Sequence, residues 1–222
     1  METQKIYLDY NASTPIAPEV AEAMKPFLSQ HFGNPSSLHW AGIPAKEAVE
    51  HARKQVANLL RCDPNEIVFT SGGSESNNHA IKGVFFALKE KGNHIITTQI
   101  EHPAVLSPCR FLEKLGAEVV YLPVDRYGKV DPQDIQKAIT PKTILITVMH
   151  ANNEVGTIQP IKEISNIAKK HGILFHTDAA QSVGKIVTEV DDLGVDLLSV
   201  AGHKIYAPKG IGALYFREGT SL

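Results

Sequence analysis

Leu197-Leu-Ser-Val-Ala-Gly-His-Lys204 carries an apolar, strand-like run straight into a lysine. Lysine belongs at the end of such a run when its nitrogen is used, because desolvation disfavours the ammonium and leaves an amine able to attack a carbonyl. Outward from this stretch, Ile173–Thr177 is a second apolar run, and it leads into Asp178. On the other side, Ala207-Pro-Lys-Gly-Ile-Gly212 is too short to hold a crossover helix. The strand that follows, Gly212–Phe216, is therefore expected to run antiparallel to the one before.

The same pattern extends towards the N-terminus. Runs rich in Val, Ile and Leu predict strands at 66–70, 94–98, 118–122 and 143–149, in addition to 173–177, 197–200 and 212–216. They lack clean alternation, which suits a sheet covered on both faces. Helical spacing separates them, in Asn77, Ile81, Val84, Phe85 and Leu88, in Val105, Cys109 and Leu112, and in Ile161, Ile164 and Ala168. The expected fold is α/β, a seven-stranded, mostly parallel sheet with one antiparallel strand and helices on both faces. Ahead of the sheet, Ala45, Ala48, Val49, Ala52, Val56, Leu59 and Leu60 trace one face of a helix, and Ile6–Asp9 reads as a short strand.

Composition narrows the function. The 222 residues suit one large domain, and 22 basic against 24 acidic side chains give a net charge of −2, with no field for nucleic acid or an anionic membrane surface. No apolar stretch reaches the ~20 residues of a membrane span, and Met1–Lys5 opens no signal peptide, so a cytoplasmic protein is expected. Cys62 and Cys109 are too few for a disulfide framework and lack metal-ligand spacing, so no metal site is expected.

Polar groups recur where the parallel strands end, which is where open α/β sheets bind ligands. Thr70-Ser-Gly-Gly-Ser-Glu-Ser76 is a small-residue turn that opens a helix; it reads either as a phosphate cradle or as a helix cap formed by Ser74. Asp178 could pair with a ring N–H, with Gln181 reaching a neighbouring oxygen, or could cap the next helix. His102, in Gln99-Ile-Glu-His-Pro-Ala104, could pass protons beside a flat ligand. Asn152-Asn153-Glu154 supplies amides or merely a turn. An amine, a carboxylate for a ring nitrogen and a phosphate cradle together are the parts that pyridoxal 5'-phosphate requires.

With these motifs assembled, the chain resembles the cysteine desulfurases of the class V aminotransferase group, in the branch that serves nitrogen fixation and iron–sulfur assembly. The resemblance runs in order through Tyr7–Pro15, Gly33–Ser37, Thr70–Asn78, Glu101–Val105, Met149–Gly156, His176–Ser182 and Gly202–Gly210. It implies pyridoxal 5'-phosphate joined covalently to Lys204, with His102 against its ring and Asp178 on its nitrogen. It further implies that Gln181 and Asn153 contact ring or substrate oxygens, that Gly73, Ser74 and His203 hold the phosphate, and that Asn11, Ala12 and Asn153 meet the substrate. One position departs from the pattern: Ala201 stands where the family usually has serine, removing one phosphate hydroxyl.

The resemblance also implies an organisation and a set of partners. Residues 1–15 would associate with a small domain, and 16–222 would form the cofactor-binding large domain. The family's smaller C-terminal domain, with its sulfur-accepting cysteine and carboxylate-binding arginine, has no counterpart in these 222 residues. The implied partners are L-cysteine, a sulfur-acceptor or iron–sulfur scaffold protein, and a second copy in a homodimer. Two alternatives stay open: a selenocysteine lyase or class V transaminase, and a non-catalytic scaffold with the same fold.

Overall fold

The computed structural model describes residues 5–222. The first four residues of the 1–15 segment lie outside the described residues.

Two helices precede the sheet, α1 (Pro18–Ser29) and α2 (Ile43–Leu60). The sheet then alternates with helices as β1 (Ile67–Thr70), α3 (Gly73–Leu88), β2 (His94–Thr98), α4 (Pro103–Glu113), β3 (Glu118–Leu122), α5 (Pro132–Ala138), β4 (Thr143–Thr147), α6 (Ile161–His171), β5 (Leu174–Asp178), α7 (Val190–Leu193), β6 (Leu197–Ala201) and β7 (Gly212–Phe216). Proline at the first helical position and a side-chain cap start α4 at His102 and α5 at Asp131. Gly172, left-handed at φ 64°, ends α6 after Lys169 and Lys170, whose charges complement the helix C-terminus.

All seven strands lie in one sheet in the order β1-β7-β6-β5-β4-β2-β3. Strands β3, β2, β4, β5 and β6 pair in parallel, and β7 runs antiparallel between β6 and β1, as the short connection requires. Each face has its own apolar core. Ile81, Val84, Val105 and Leu112 of α3 and α4 cover one, while Leu60, Ile135, Ile164 and Leu193 of α2, α5, α6 and α7 cover the other. The middle of the sheet also carries a buried polar rung: His176 Nδ1 meets Thr147 Oγ1 at 2.8 Å, and its Nε2 meets Ser199 Oγ at 3.0 Å. Burial pushes this imidazole down to about 3, so it is neutral and both ring nitrogens are satisfied without charge.

Four local expectations are corrected. Residues 6–9 form no strand, because no sheet edge reaches them to supply ladder partners. Glu66 belongs to a 3-10 turn closed by a capping box with Asp63, so β1 starts one residue later. The run to Met149 is regular strand only to Thr147: Val148 and His150 still donate to β5 carbonyls, but the Met149 N–H turns to the Glu101 carboxylate. On α2 the buried stripe passes through Ala57 and Leu60, and Leu59 faces outward.

Candidate functional site

A cavity of about 790 Å³ opens at the carboxyl ends of the parallel strands, lined by the site residues singled out from the sequence except Asn152, whose Oδ1 accepts the Glu154 and Val155 N–H groups and makes the turn. The reason is geometric, because parallel strands deliver the residues that follow them to one side of a sheet. Gly73 and Ser74 arrive after β1, His102 after β2, Asn153 after β4, Asp178 and Gln181 with β5, and His203 and Lys204 after β6. Asn11 and Ala12 come from outside the sheet. Asn11 is drawn in by Gln181, whose Nε2 donates to its carbonyl at 2.9 Å.

Lys204 ends a short 3-10 turn, Gly202–Lys204, that continues β6. Its Nζ donates to the Asn11 carbonyl. Burial lowers its pKa below the usual lysine range, the charge of Lys185 lowers it further, and Asp178 and Asp9 oppose the shift. Asp178 is buried at the end of β5. Its Oδ2 accepts Asn77 Nδ2 at 2.7 Å, and its Oδ1 accepts the Ala180 N–H at 3.0 Å. The second bond is the local cap-like turn considered from the sequence, so Asp178 makes that turn and faces the cavity as well. Burial raises its pKa, against Ala180, Asn77, His102 and Lys204, all of which favour the carboxylate.

The cradle also departs from a simple helix cap. Helix α3 begins without any side-chain cap, so Ser74 leaves the first-turn N–H groups to other partners. Gly72 adopts φ +151°, a conformation that L side chains avoid, and the space beyond its Cα is open. Behind it, a Cβ on Gly212 would stand 2.6 Å from Gly72 Cα, so β7 can approach the cradle only as glycine. Ala201 packs under Gly73 with no hydroxyl to offer. His203, Lys204 and Lys209 bring cationic or ionisable nitrogen to the same cavity. Such a set suits a ligand with a phosphate at one end, a protonatable ring nitrogen at the other, and a carbonyl within reach of an amine.

His102 caps α4 with its own ring, because its Nδ1 accepts the Ala104 N–H at 3.0 Å. A neutral His102 so engaged carries its proton on Nε2. Asn153 Nδ2 meets Glu154 Oε1 at 2.7 Å, and Gln181 Oε1 accepts from Lys185 at 3.0 Å, so both amides are already oriented by charged neighbours.

Two buried residues of the site were not recognised from the sequence. Asn77 was read only as a position on a buried helical stripe, and an amide among Ile81 and Val84 was the available signal. Glu101 was read only as the neighbour of His102. It is 4% exposed, and its carboxylate accepts Thr98 Oγ1 at 2.8 Å and the Met149 N–H at 2.9 and 3.1 Å. It thereby ties the His102 loop to the end of β4.

Burial pushes Glu101 up to about 8 from an ordinary 4.5, and Asp178 adds to the shift. A carboxyl whose pKa is raised on folding contributes stability that is complete below its unfolded value and lost as pH rises through the folded one. His176 has the opposite sign, losing its contribution as pH falls from 6.5 towards about 3. Glu101→Gln should remove only the first effect. Urea unfolding across neutral pH should show wild type falling relative to the variant by up to about 1.4 kcal/mol per pH unit, between the ordinary and raised values of Glu101. Parallel curves would refute that assignment.

The aminotransferase class-V family model matches residues 6–221. "Cysteine desulfurase IscS" of Dictyoglomus turgidum is 61% identical over 219 residues, covering 99% of this chain and 56% of that protein. The enzyme of the same name from Methanosarcina thermophila is 53% identical, covering 100% of this chain and 55% of its own length. The solved structure "SspA in complex with cysteine" superposes with a TM-score of 0.94 at 51% identity, covering 96% of this chain and 62% of that one. The chain thus spans about half the length of the curated relatives it matches. Among the described residues no cluster of His, Cys, Asp and Glu is arranged for a metal ion, and no helix is long and apolar enough to cross a membrane.

Proposed function

From the premise that this chain belongs to the class V aminotransferase family, we propose that it forms the cofactor-holding part of a pyridoxal 5'-phosphate-dependent cysteine desulfurase. The observation that carries this reading is the convergence of Lys204, Asp178, His102 and the Gly72–Ser74 cradle on one cavity. The bound cofactor would supply an electron-accepting ring. Lys204 would hold its aldehyde end, Gly73, Ser74 and His203 its phosphate, and Asp178 its ring nitrogen.

The chain's own residues would then act as follows. Asp178, which accepts from Asn77 and Ala180, would pair with the ring nitrogen and favour its protonated form. Lys204 Nζ, with its pKa lowered, would serve as the base for the proton on the substrate carbon. His102, whose Nδ1 is engaged by the Ala104 N–H, would lie against the ring and pass protons there. Asn11, Ala12 and Asn153 orient the substrate, and Gln181 and Asn153 contact ring or substrate oxygens. The net reaction breaks the C–S bond of L-cysteine, leaves L-alanine, and passes the sulfur to an acceptor thiol as a persulfide.

That thiol is neither cysteine of this chain. Cys109 is fully buried and Cys62 half-buried, and burial first of all pushes both up to about 12, away from the reactive thiolate. We place the acceptor on a further protein segment or on a sulfur-acceptor or iron–sulfur scaffold protein. We also propose a cytoplasmic homodimer in which residues 1–15 belong with a small domain and 16–222 form the large one. Leu8, Phe32, Leu38 and Trp40, all strongly exposed, support cover by another protein surface.

The test is to load the protein with pyridoxal phosphate, reduce with borohydride, map the label, and assay alanine, sulfide and selenide release with an added thiol. Alanine and sulfide from cysteine support the reading. Preference for selenocysteine or amino-group transfer without sulfur release would favour the lyase or the transaminase, and a protein that captures no label would favour the scaffold. Ala201→Ser should restore a hydroxyl under the cradle and tighten cofactor binding about tenfold, measured by fluorescence titration. Unchanged affinity would mean that residue 201 does not face the phosphate.

A further inference from the structure

Asn77 lies where α3 turns its stripe into the core, beside Ile81 and Val84, and only 1% of it is exposed. An amide in such a place normally pairs both its ends. Here Nδ2 donates to Asp178 Oδ2 at 2.7 Å while Oδ1 is buried with no partner. The cost of desolvating the carbonyl is thus borne for one bond, and that bond goes to the carboxylate at the cavity floor.

We propose that Asn77 is the positioning residue for Asp178, fixing its carboxylate in the orientation and ionised state in which it faces the ring nitrogen. This rests on the cofactor reading above. The chemistry bears on the direction of the amide: an ionised carboxylate only accepts, so it can bond only the NH2 end, whereas a protonated Asp178 could also donate to Oδ1. The helix adds a second link. Asn77 follows Gly73 and Ser74 by four and three residues, which places all three on one side of α3. One rigid element therefore carries both the phosphate cradle and the partner of the carboxylate at the other end of the ligand.

The balance that Asn77 tips involves every charged group facing Asp178. His102 and Lys204 favour the carboxylate, the Ala180 N–H supports it, and Glu101 is a second buried carboxyl that interacts unfavourably with it. Loss of the amide donor leaves Asp178 with one protein hydrogen bond against an undiminished desolvation cost.

The test uses carboxyl-labelled aspartate and NMR titration of cofactor-free protein, with the Asp178 signal assigned through Asp178→Asn. Asn77→Leu, which matches the shape without a donor, should raise the proton affinity of Asp178 by about ten- to a hundredfold. Asn77→Asp should convert the pair into two carboxyls that share one proton at neutral pH, giving two coupled transitions where wild type gives one. Circular dichroism establishes folding, and the Asp variant, nearly isosteric, serves if the Leu variant does not fold. In the loaded protein, the cofactor's visible absorbance should change with pH at a correspondingly higher value in Asn77→Leu. If wild type binds pyridoxal phosphate and the Asp178 titration is the same in the folded variants, the role of Asn77 is overturned on its own. If wild type does not bind it, the reading beneath the proposal falls as well.

Discussion

Lys204→Ala is expected to abolish covalent capture of pyridoxal phosphate, leaving less than about one hundredth of the borohydride-fixed label that wild type retains. Lys209 also lines the cavity, but its Nζ donates to the Thr14 carbonyl, and its removal should reduce labelling only several-fold, through the phosphate. Lys204→Arg keeps the charge and loses the reaction, because guanidinium does not deprotonate. Burial and Lys185 both hold the Lys204 pKa down, so a larger share of it is neutral near pH 7 than for an exposed lysine. Removing the nearby charge in Lys185→Ala should therefore move the pH profile of capture upward. Mass spectrometry of the labelled peptide decides the matter, and label persisting in Lys204→Ala would end the assignment.

Asp178→Asn should lower alanine formation by about three orders of magnitude while changing cofactor affinity by less than about tenfold. The asymmetry follows from where the two contributions lie. Affinity comes mostly from the phosphate cradle and the amine, whereas the carboxylate acts when negative charge develops on the ring. The variant should also keep its fold, because burial raises the Asp178 pKa and the ionised group therefore weakens the folded state as pH rises. A parallel loss of affinity and turnover, followed by fluorescence titration and alanine release, would argue against an electrostatic role.

Much of the framework could be read from residue order alone. The apolar runs of β2, β3 and β7 were bounded by clear breaks, and the six residues from Ala207 to Gly212 were enough to set the direction of β7. The site was legible for the same reason: once the sheet is parallel, the residues after each strand must meet. Short elements escaped, since α5 spans 7 residues and α7 only 4, less than a periodicity can display. Helix α1 was masked by Pro26 in its interior. Residues 6–9 look like a strand because Ile6 and Leu8 alternate with polar neighbours, but a strand needs an edge to join, and edges are set by tertiary arrangement. Asn77 and Glu101 were hidden because spacing reports which way a side chain points and not what it meets there.

Among the described residues β1 joins the sheet only through β7, which follows the other six strands in the chain. Until β7 is made, Gly72 therefore lacks the close backbone approach of Gly212 and β1 lacks its ladder partner, while the neighbouring parallel βα units can already assemble. Vitamin uptake by ribosome-arrested nascent chains should switch on only after residue 216 has left the exit tunnel, making holoenzyme formation a readout of completed translation of this region.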